Sequence, residues 1–294
     1  VAILGFSAAN FFFKSAITGA IFSVQSFAYI FSKQDFAHLL PRIIYYLDEP
    51  LVHPNTVPMY ILAEEARKYT KVLLTGEGAD EVFYGYNRYF QTSNEDIIFS
   101  NLFNKSTNVV EIFKGKIHIA NRIKILQDLY DFTEEDVRSF YDIYTYLPHV
   151  LLRQDKAGMA ANIENRVPFL YTSVVEAGFN LDKRTGKFGG KTQLKEIALK
   201  YFPRDFVLRE KCGFGLPISD WLRDKDVLLP YVFALTKSKI TKKFFKTSAV
   251  EQLAKEHLNE QKDNSSILFT LICLSIWHEI FIEQGTKNRL ISMI

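Results

Sequence analysis

The sequence predicts an α/β protein with a Rossmann-like, doubly wound parallel sheet, followed by a mostly helical C-terminal part. Helical patterns over residues 35–47 and 57–68 precede a short apolar run at 71–74 that is typical of a buried parallel strand. A turn with two glycines then leads into another helix, and from about residue 98 the apolar spacing becomes almost wholly helical. Helix, strand, glycine turn and helix in this order indicate a parallel, doubly wound topology.

Helix start and stop signals define the individual elements. The first helix closes at residues 48–50, Asp-Glu-Pro. Asn55 and Thr56 are predicted to cap the second helix, which has Pro58 in its first turn. Thr133 and Asp136 form a capping pattern before a helix at 137–147, and Ser248 and Glu251 form the same pattern before a later helix. A helix at 192–201 is predicted to end before Pro203. The apolar pattern at about 265–283 is interpreted as a buried core helix, since it is too short to span a bilayer comfortably.

The N-terminal 31 residues contain one charge, Lys14, and residues 15–31 form an uncharged run close to membrane-spanning length. The flanking charges of a signal peptide or a spanning helix are not evident. Polar residues and glycine interrupt the run, so we interpret it as buried strands and a helix of the α/β core, with a membrane segment as the alternative. The chain opens on Val1 rather than Met, which suits a fragment or a processed product.

Composition narrows the class of protein. The 294 residues include 36 basic and 33 acidic side chains, a net charge of +3, so nothing points to a nucleic-acid surface. Cys212 and Cys273 lie far apart and form no disulfide or zinc pattern, which favours a reducing cytoplasm. We predict one domain over 1–294, with an α/β nucleotide-binding part at 1–97, incomplete at its N-terminus, and a helical part at 98–294 that completes the cleft.

The chemistry is predicted to lie in the turn after the strand. Gly76 and Gly78 let the backbone approach a bulky anion, while Glu77, Asp80 and Glu81 place three carboxylates where the next helix begins. Ligands of open α/β sheets bind at the carboxyl ends of strands, and carboxylates there suit Mg²⁺ carrying a nucleotide phosphate. The alternative is structural, because the helix dipole favours acidic residues in a first turn whatever the function.

The stretch TGEGADEVFYGY, at residues 75–86, resembles the SGEGSDE-like motif of the asparagine synthetase family. Further segments resemble that family in the same order. They are the Asp-Glu-Pro turn at 48–50, LRQDKAGMAANIENRVPFL at 152–170, the stretch from KTQLK to KCGFGLPISDW at 191–221, and the closing helices at 257–282. Ordered matches of this kind are far more specific than any one motif alone.

The resemblance implies a fold of the adenine nucleotide alpha hydrolase-like, ATP pyrophosphatase type and amide synthesis in two steps. A substrate carboxylate, in the first hypothesis that of aspartate, attacks the α-phosphorus of ATP to give an acyl-adenylate and pyrophosphate. Ammonia then displaces AMP. The implied cofactors are ATP and Mg²⁺. The implied partners are aspartate, ammonia and a separate glutaminase domain or subunit, with a homodimer left open and no nucleic acid or membrane.

Carried over residue by residue, the resemblance assigns six positions. Asp80 is a Mg²⁺ ligand, Glu77 positions ammonia and takes its proton, Lys211 stabilises charge on the phosphates, and Thr75, Gly76 and Gly78 contact the nucleotide. A fixed ammonium in a water-poor cleft is worth about 10² to 10³ in rate, although Lys211 taken alone is typical of a surface loop.

Other charged and nucleophilic residues have structural interpretations. One interpretation is that of structural ion pairs between helices, which is open to Arg153, Asp155, Lys156, Glu164 and Arg166. We keep it for Glu164 and Arg166. Cys212 has no evident His partner, so we interpret it as a bystander.

Departures from the family pattern leave alternatives open. Residues 5–10, GFSAAN, hold one glycine and no Asp where the family has its SGGxDSS pyrophosphate loop, and Tyr171 replaces the family's Asp. The family's glutamine-hydrolysing domain has no counterpart here, which implies free ammonia or a partner's. Asparagine formation therefore has two alternatives. The chain is a catalytically silent binding or scaffold subunit, or it is an enzyme that adenylates another carboxylate to form a β-lactam or a macrocycle.

Overall fold

The computed structural model describes residues 23, 25, 27, 29–91, 112–116, 118, 120–129, 131–181, 186–209 and 215–283. The predicted strand at 1–4, the loop at 5–10, most of the apolar run at 15–31, Lys211 and Cys212 lie outside these residues. The chain divides into two compact units that alternate along the sequence. The first comprises Val1–Ile30, Leu62–Leu102 and Ile119–Gly213, and the second comprises Phe31–Ile61, Phe103–His118 and Phe214–Ile294.

The described elements follow one another in a fixed order. The strands are β1 (Val72–Leu74) and β2 (Glu164–Arg166). The helices are α1 (Lys33–Leu47), α2 (Thr56–Ala66), α3 (Ala79–Val82), α4 (Ala120–Asp128), α5 (Glu134–Thr145), α6 (Leu147–Ala160), α7 (Thr172–Phe179), α8 (Thr192–Ala198), α9 (Arg204–Val207), α10 (Ile218–Trp221), α11 (Leu229–Ala234), α12 (Lys239–Phe244), α13 (Thr247–Leu258) and α14 (Ser265–His278). Short 3₁₀ turns lie at Asn87–Phe90, Pro168–Leu170 and Leu235–Lys237, and a π-helical turn at Glu279–Glu283 follows α14.

The first unit contains a small parallel sheet. β1 pairs with β2 in parallel, with Val72 opposite Glu164, Leu73 opposite Asn165 and Leu74 opposite Arg166. The predicted parallel strand is therefore confirmed, and the protein is of the α/β class. β2 lies in the part of the chain predicted to be helical, and its sequence, Glu-Asn-Arg, lacks the apolar run that signals a strand. Pairing with β1 stabilises this segment as a strand, despite its low intrinsic preference.

The burial predicted for β1 is wrong. Leu74 is 74% exposed and Val72 is 43% exposed. Helix α6 packs on the opposite face of the sheet, where the Asn165 side-chain amide donates to the Gln154 carbonyl at 2.9 Å. In the part of the chain that the structure describes, only β2 pairs with β1.

Helices α4 and α5 enclose an aromatic core in the first unit. Tyr84, Tyr89 and Tyr141 are buried together there with Leu129 and Val137. Thr133 caps α5 as predicted, since its hydroxyl accepts from the Asp136 backbone N–H at 3.2 Å. Polar groups of this core are paired: Arg138 donates to the Tyr84 hydroxyl at 2.9 Å and to the Tyr89 carbonyl at 2.6 Å.

Helix α14 is the centre of the second unit. Helices α1, α10, α11, α12 and α13 pack against it, and the Phe36 ring lies 6.2 Å from Phe269 and 4.8 Å from Trp221, centroid to centroid. Residues 265–283 are long and apolar enough, by length and composition, to cross a membrane. The burial of Leu268, Ile272 and Cys273 agrees instead with the predicted core helix.

Helix ends show where local signals decided the structure. α1 starts with a capping box between Ser32 and Asp35 and ends at Asp48, close to the predicted end. The cap predicted at Ser248 is wrong, because α13 begins at Thr247 after Lys246, which makes no side-chain cap. Ser248 therefore lies inside the helix, where a short polar side chain adds little.

The buried carboxylate of Asp142 provides a test of the first unit's core. Asp142 is fully buried, accepts from the Tyr89 hydroxyl at 2.6 Å and contacts the Arg88 guanidinium. Asp142→Ala leaves that guanidinium without its carboxylate, so we expect a loss of about 3–5 kcal/mol of unfolding free energy in urea denaturation. Glu164→Ala removes the exposed partner of Arg166 and should cost less than about 1 kcal/mol. Equal losses would contradict a core role for Asp142.

Candidate active site

The predicted site begins where β1 ends. The Thr75 backbone N–H donates to the Arg166 carbonyl at 2.9 Å, which extends the β1–β2 ladder by one residue. Helix α3 then starts after Gly78, whose φ of 87° lies in the left-handed region. A Cβ on Gly78 would also lie 2.3 Å from Cδ2 of Leu170. Both the backbone and the packing therefore require glycine at this position, whatever ligand the turn binds.

Thr75 and Gly76 present the accessible part of the turn. A Cβ on Gly76 would meet no atom within 4 Å, and its φ is not positive, so neither packing nor backbone geometry requires this glycine. Among the described residues, the Thr75 Oγ1 atom is buried and has no hydrogen-bond partner. Buried polar atoms are nearly always satisfied in folded proteins. An open backbone beside an unsatisfied hydroxyl suits a polar ligand.

The structure separates the three carboxylates that the sequence places together. Glu77 is half-buried, Asp80 lies beside Lys191, and Glu81 is directed into the protein interior with 1% exposure. Within the described ranges, no group of three or more His, Cys, Asp or Glu side chains is arranged to hold a metal ion. The described side chains by themselves therefore do not form a metal site at this turn.

A buried arginine acts on Glu77. Arg153, on α6, is only 6% exposed. Burial lowers the pKa of its guanidinium, and the negative charge of Glu77 is the strongest influence in the opposite direction. Arg153 is thus linked electrostatically to the turn. Glu164 and Arg166 do form an ion pair at 2.6 Å, but within strand β2 and exposed to solvent.

A second cation lies against Asp80. The Lys191 ammonium is 2.9 Å from the Asp80 carboxylate, and 19% of the Asp80 side chain and 27% of the Lys191 side chain are exposed. Lys191 lies directly before α8 and has a left-handed backbone with φ of 59°. Sequence reasoning did not select Lys191 as a site residue. The available signals were the two glycines before it and its place at the head of the KTQLK segment.

Glu81 belongs to a polar network below the turn. It accepts a hydrogen bond from the Tyr86 hydroxyl at 2.8 Å, and the Arg88 guanidinium lies 3.9 Å from the centre of the Tyr86 ring. Burial raises the pKa of the Glu81 carboxyl to about 7, although the bond from Tyr86 lowers it. Glu81 is therefore a structural acid that holds its proton near neutrality.

Tyr171 occupies a helix cap. It is the residue before α7, with an extended backbone (φ of −62° and ψ of 136°), and its side chain makes no capping hydrogen bond. Its phenol is 62% exposed. A carboxylate at such a position accepts hydrogen bonds from the first turn of the helix, which a tyrosine cannot do. The Asp expected here from the family pattern would thus have a structural role.

The site lies in an α/β protein, at a turn with glycines and acidic residues that follows the carboxyl end of a parallel strand. Cations act on two of the carboxylates in this turn. These features are typical of a site for an anionic ligand. The family model described as asparagine synthase matches residues 20–279, and the chain belongs to the asparagine synthase family. The family predicted from the motifs is confirmed.

Individual relatives give the degree of similarity. Asparagine synthetase 1, glutamine-hydrolysing, of Bacillus subtilis is 28% identical over 314 aligned residues, which cover 91% of this chain and 49% of the relative. A protein of Mycobacterium tuberculosis provisionally named as a glutamine-hydrolysing asparagine synthetase is 29% identical, over 90% of this chain and 47% of its own length. Glutamine-hydrolysing asparagine synthetase 1 of Arabidopsis thaliana is 23% identical over 66% of this chain and 30% of its own. The chain spans about half the length of the first two relatives.

The raised pKa of Glu81 predicts a pH-dependent stability. The folded protein binds the Glu81 proton more tightly than the unfolded chain, whose pKa is the ordinary 4.5. Stability should therefore fall as pH rises from about 4.5 to about 7, by on the order of 3 kcal/mol from this group, and change no further above that range. Glu81→Gln is neutral throughout, so its stability should fall less than that of the wild type over this interval.

The measurement is urea denaturation of both proteins at a series of pH values, because other titrating groups contribute equally to the two curves. Glu164→Gln, which neutralises an exposed carboxylate of the same unit, is the matched control and should follow the wild type. Parallel curves for the wild type and Glu81→Gln would contradict the assignment.

The cap at Tyr171 predicts a stabilising substitution. Tyr171→Asp should raise the unfolding free energy by about 1 kcal/mol, because a carboxylate at this position can accept from backbone N–H groups in the first turn of α7. Tyr171→Ala, which removes the same phenol without adding an acceptor, should give no gain. Thermal melts of the three proteins decide the point, and a gain in the alanine variant would show that loss of the phenol, not the cap, is responsible.

Proposed function

We propose that this chain carries the synthetase part of an ATP-dependent, amide-forming ligase whose substrate is aspartate and whose product is asparagine. The turn at residues 75–80 is the observation that carries the proposal, because it lies at the carboxyl end of β1 with Arg153 acting on Glu77 and Lys191 beside Asp80. Membership of the asparagine synthase family supports the reaction class. The proposal includes an ATP pyrophosphatase-type, Rossmann-like fold and a cytoplasmic location.

In the first proposed step, an oxygen of the aspartate side-chain carboxylate attacks the α-phosphorus of ATP. The bond from that phosphorus to the bridging oxygen breaks, and pyrophosphate leaves. Negative charge accumulates on the phosphates, so cations fixed in the cleft lower the barrier. Lys191 is suitably placed for this role beside Asp80, and Lys211 is assigned the same role by its place in the family motif. The unsatisfied Thr75 hydroxyl is proposed to donate to the nucleotide.

Mg²⁺ fits the described residues when it arrives bound to phosphate. Asp80 supplies one carboxylate, and the metal commonly binds proteins through one or two carboxylates together with substrate phosphates and water. We propose Asp80 as the residue that holds it. Once bound, Mg²⁺ would neutralise charge on the pyrophosphate portion of the nucleotide.

In the second proposed step, ammonia attacks the carbonyl carbon of the acyl-adenylate, and the carbon–oxygen bond to AMP breaks. The attacking nitrogen must lose a proton. Glu77 is the proposed acceptor, and the buried Arg153 guanidinium interacts electrostatically with its carboxylate. The ammonia is free or comes from a glutaminase domain or subunit. The second source is supported by relatives whose names describe them as glutamine-hydrolysing.

A catalytically silent binding subunit is the second candidate. Residues 5–10 carry one glycine and no Asp, which favours a chain that keeps the turn at 75–80 without a working pyrophosphate loop. This candidate and the first differ in whether ATP is bound at all.

Pyrophosphate release tests the proposal. The full chain, ATP, Mg²⁺, aspartate and ammonium should release pyrophosphate in an aspartate-dependent way, and Lys211→Ala should slow that release by about 10² to 10³. No release, together with no ATP binding in calorimetry, would support the silent subunit. ATP binding without aspartate-dependent release would point to a different carboxylate substrate.

The proposed role of Glu77 predicts a division between the two steps. Glu77→Gln keeps the size of the side chain but cannot accept a proton. Asparagine formation should therefore fall by at least about 10², whereas pyrophosphate release should stay close to that of the wild type. Measuring both products in one reaction distinguishes the steps. An equal loss of both would remove Glu77 from the ammonia step.

A further inference from the structure

The contact between Asp80 and Lys191 is enclosed by the backbone around it. Nζ of Lys191 is 2.9 Å from Oδ2 of Asp80. A Cβ on Gly85 would lie 2.2 Å from Oδ1 of Asp80 and 2.2 Å from Cε of Lys191. The Gly85 N–H in turn donates to the Asp80 carbonyl at 2.7 Å. One carboxylate oxygen thus faces Gly85 while the other meets the ammonium.

The segment that carries Lys191 is held in place from several directions. The backbone of Lys191 is left-handed, and its N–H donates to the Phe83 carbonyl at 2.8 Å. Gly190 approaches so closely that a Cβ there would lie 2.0 Å from the Tyr84 carbonyl oxygen. A left-handed conformation is unfavourable for lysine and persists only where neighbouring contacts impose it. The pairing with Asp80 is therefore built into the backbone and differs from an adventitious surface ion pair.

A second ammonium increases the positive charge beside this pair. Lys195, one turn along α8, donates to the Phe188 carbonyl at 2.6 Å. The Thr192 hydroxyl, from the first turn of α8, donates to the Gly189 carbonyl at 2.7 Å. These bonds fix the turn before α8 and keep the Lys195 cation close to Lys191. The neighbourhood is thus more favourable to an anion than to a free cation.

Lys191 and a divalent cation compete for the same carboxylate. A free metal ion can bind Asp80 only if it displaces the ammonium, which then loses its carboxylate partner. A metal ion that arrives on a polyphosphate brings a new anionic partner for the displaced ammonium. The flexible four-carbon stem of lysine allows that exchange without movement of the backbone.

We propose that Lys191 makes this site selective for a divalent metal carried on a polyphosphate over the free metal ion. Lys191 occupies Asp80 until the phosphate chain arrives, and it then transfers to that chain as the metal binds Asp80. This inference rests on the proposed function for the phosphate site, but it concerns the order and form in which the metal enters.

The inference is tested without catalysis by measuring the binding of Mn²⁺ to the full chain through the EPR signal of the metal. Lys191→Met removes the competing charge, so free Mn²⁺ should bind at least about tenfold more tightly than to the wild type. Lys191→Arg keeps a cation and should stay near the wild type. Lys187→Met is the matched control, since it removes a charge of the same segment that faces Glu196 at 3.3 Å. It should leave Mn²⁺ binding unchanged, and Asp80→Asn should abolish the gain of Lys191→Met.

Inorganic pyrophosphate provides the second arm. Mn²⁺ with pyrophosphate should bind the wild type more tightly than Mn²⁺ alone, and Lys191→Met should weaken that binding by about tenfold. Opposite effects of one substitution on the two forms of the metal would not arise from a structural role.

Two failures can be told apart. Equal free Mn²⁺ affinity of the wild type and Lys191→Met, with pyrophosphate binding intact, would overturn the role of Lys191 alone. No binding of manganese pyrophosphate by any variant would overturn the phosphate site of the proposed function, and this inference with it. Thermal melts of each variant establish that folding is retained.

Discussion

The parallel pairing of β1 with β2 is the constraint on which the candidate site depends. Its register brings two distant segments out of the sheet at the same edge, the turn that contains Gly78 and the 3₁₀ turn that ends at Leu170. These turns pack so closely that position 78 has no room for a side chain. Helix α6, which leads into β2, carries Arg153 to the neighbourhood of Glu77. A shift of one residue in this register would turn every side chain of the pair to the opposite face.

Charge compensation explains why the carboxylates of the turn behave differently. An uncompensated charge in a protein interior is costly, so each buried ion needs a partner or must become neutral. Glu77 has Arg153, and Asp80 has Lys191, as an oppositely charged neighbour. Glu81 is the most deeply buried of the three and accepts from the neutral Tyr86 hydroxyl, and burial raises the pKa of its carboxyl more than its hydrogen bonds lower it. It therefore retains its proton to a higher pH and serves the core of the unit.

Close backbone contacts fix the position of the segment that carries Lys191. Gly85 and Gly190 allow the segment after α3 and the segment before α8 to approach to a distance that no side chain would permit. The Lys191 backbone is fixed by this contact, while its side chain keeps the freedom of a flexible stem. The Lys191 ammonium can therefore move from a carboxylate to a phosphate while the backbone and the fold stay unchanged. The whole assembly lies within one compact unit of the chain.

The sequence by itself determined the family, the α/β class, strand β1, seven of the fourteen described helices and the position of the turn, because motifs, apolar spacing and caps are local properties of the chain. It failed for β2, whose polar residues become a strand only through pairing with β1. It also overestimated the burial of β1, since burial depends on what covers a strand. Only the tertiary structure decided which cation acts on which carboxylate. Arg153 and Lys191 are distant from the turn in sequence, and folding alone brings their charges to Glu77 and Asp80.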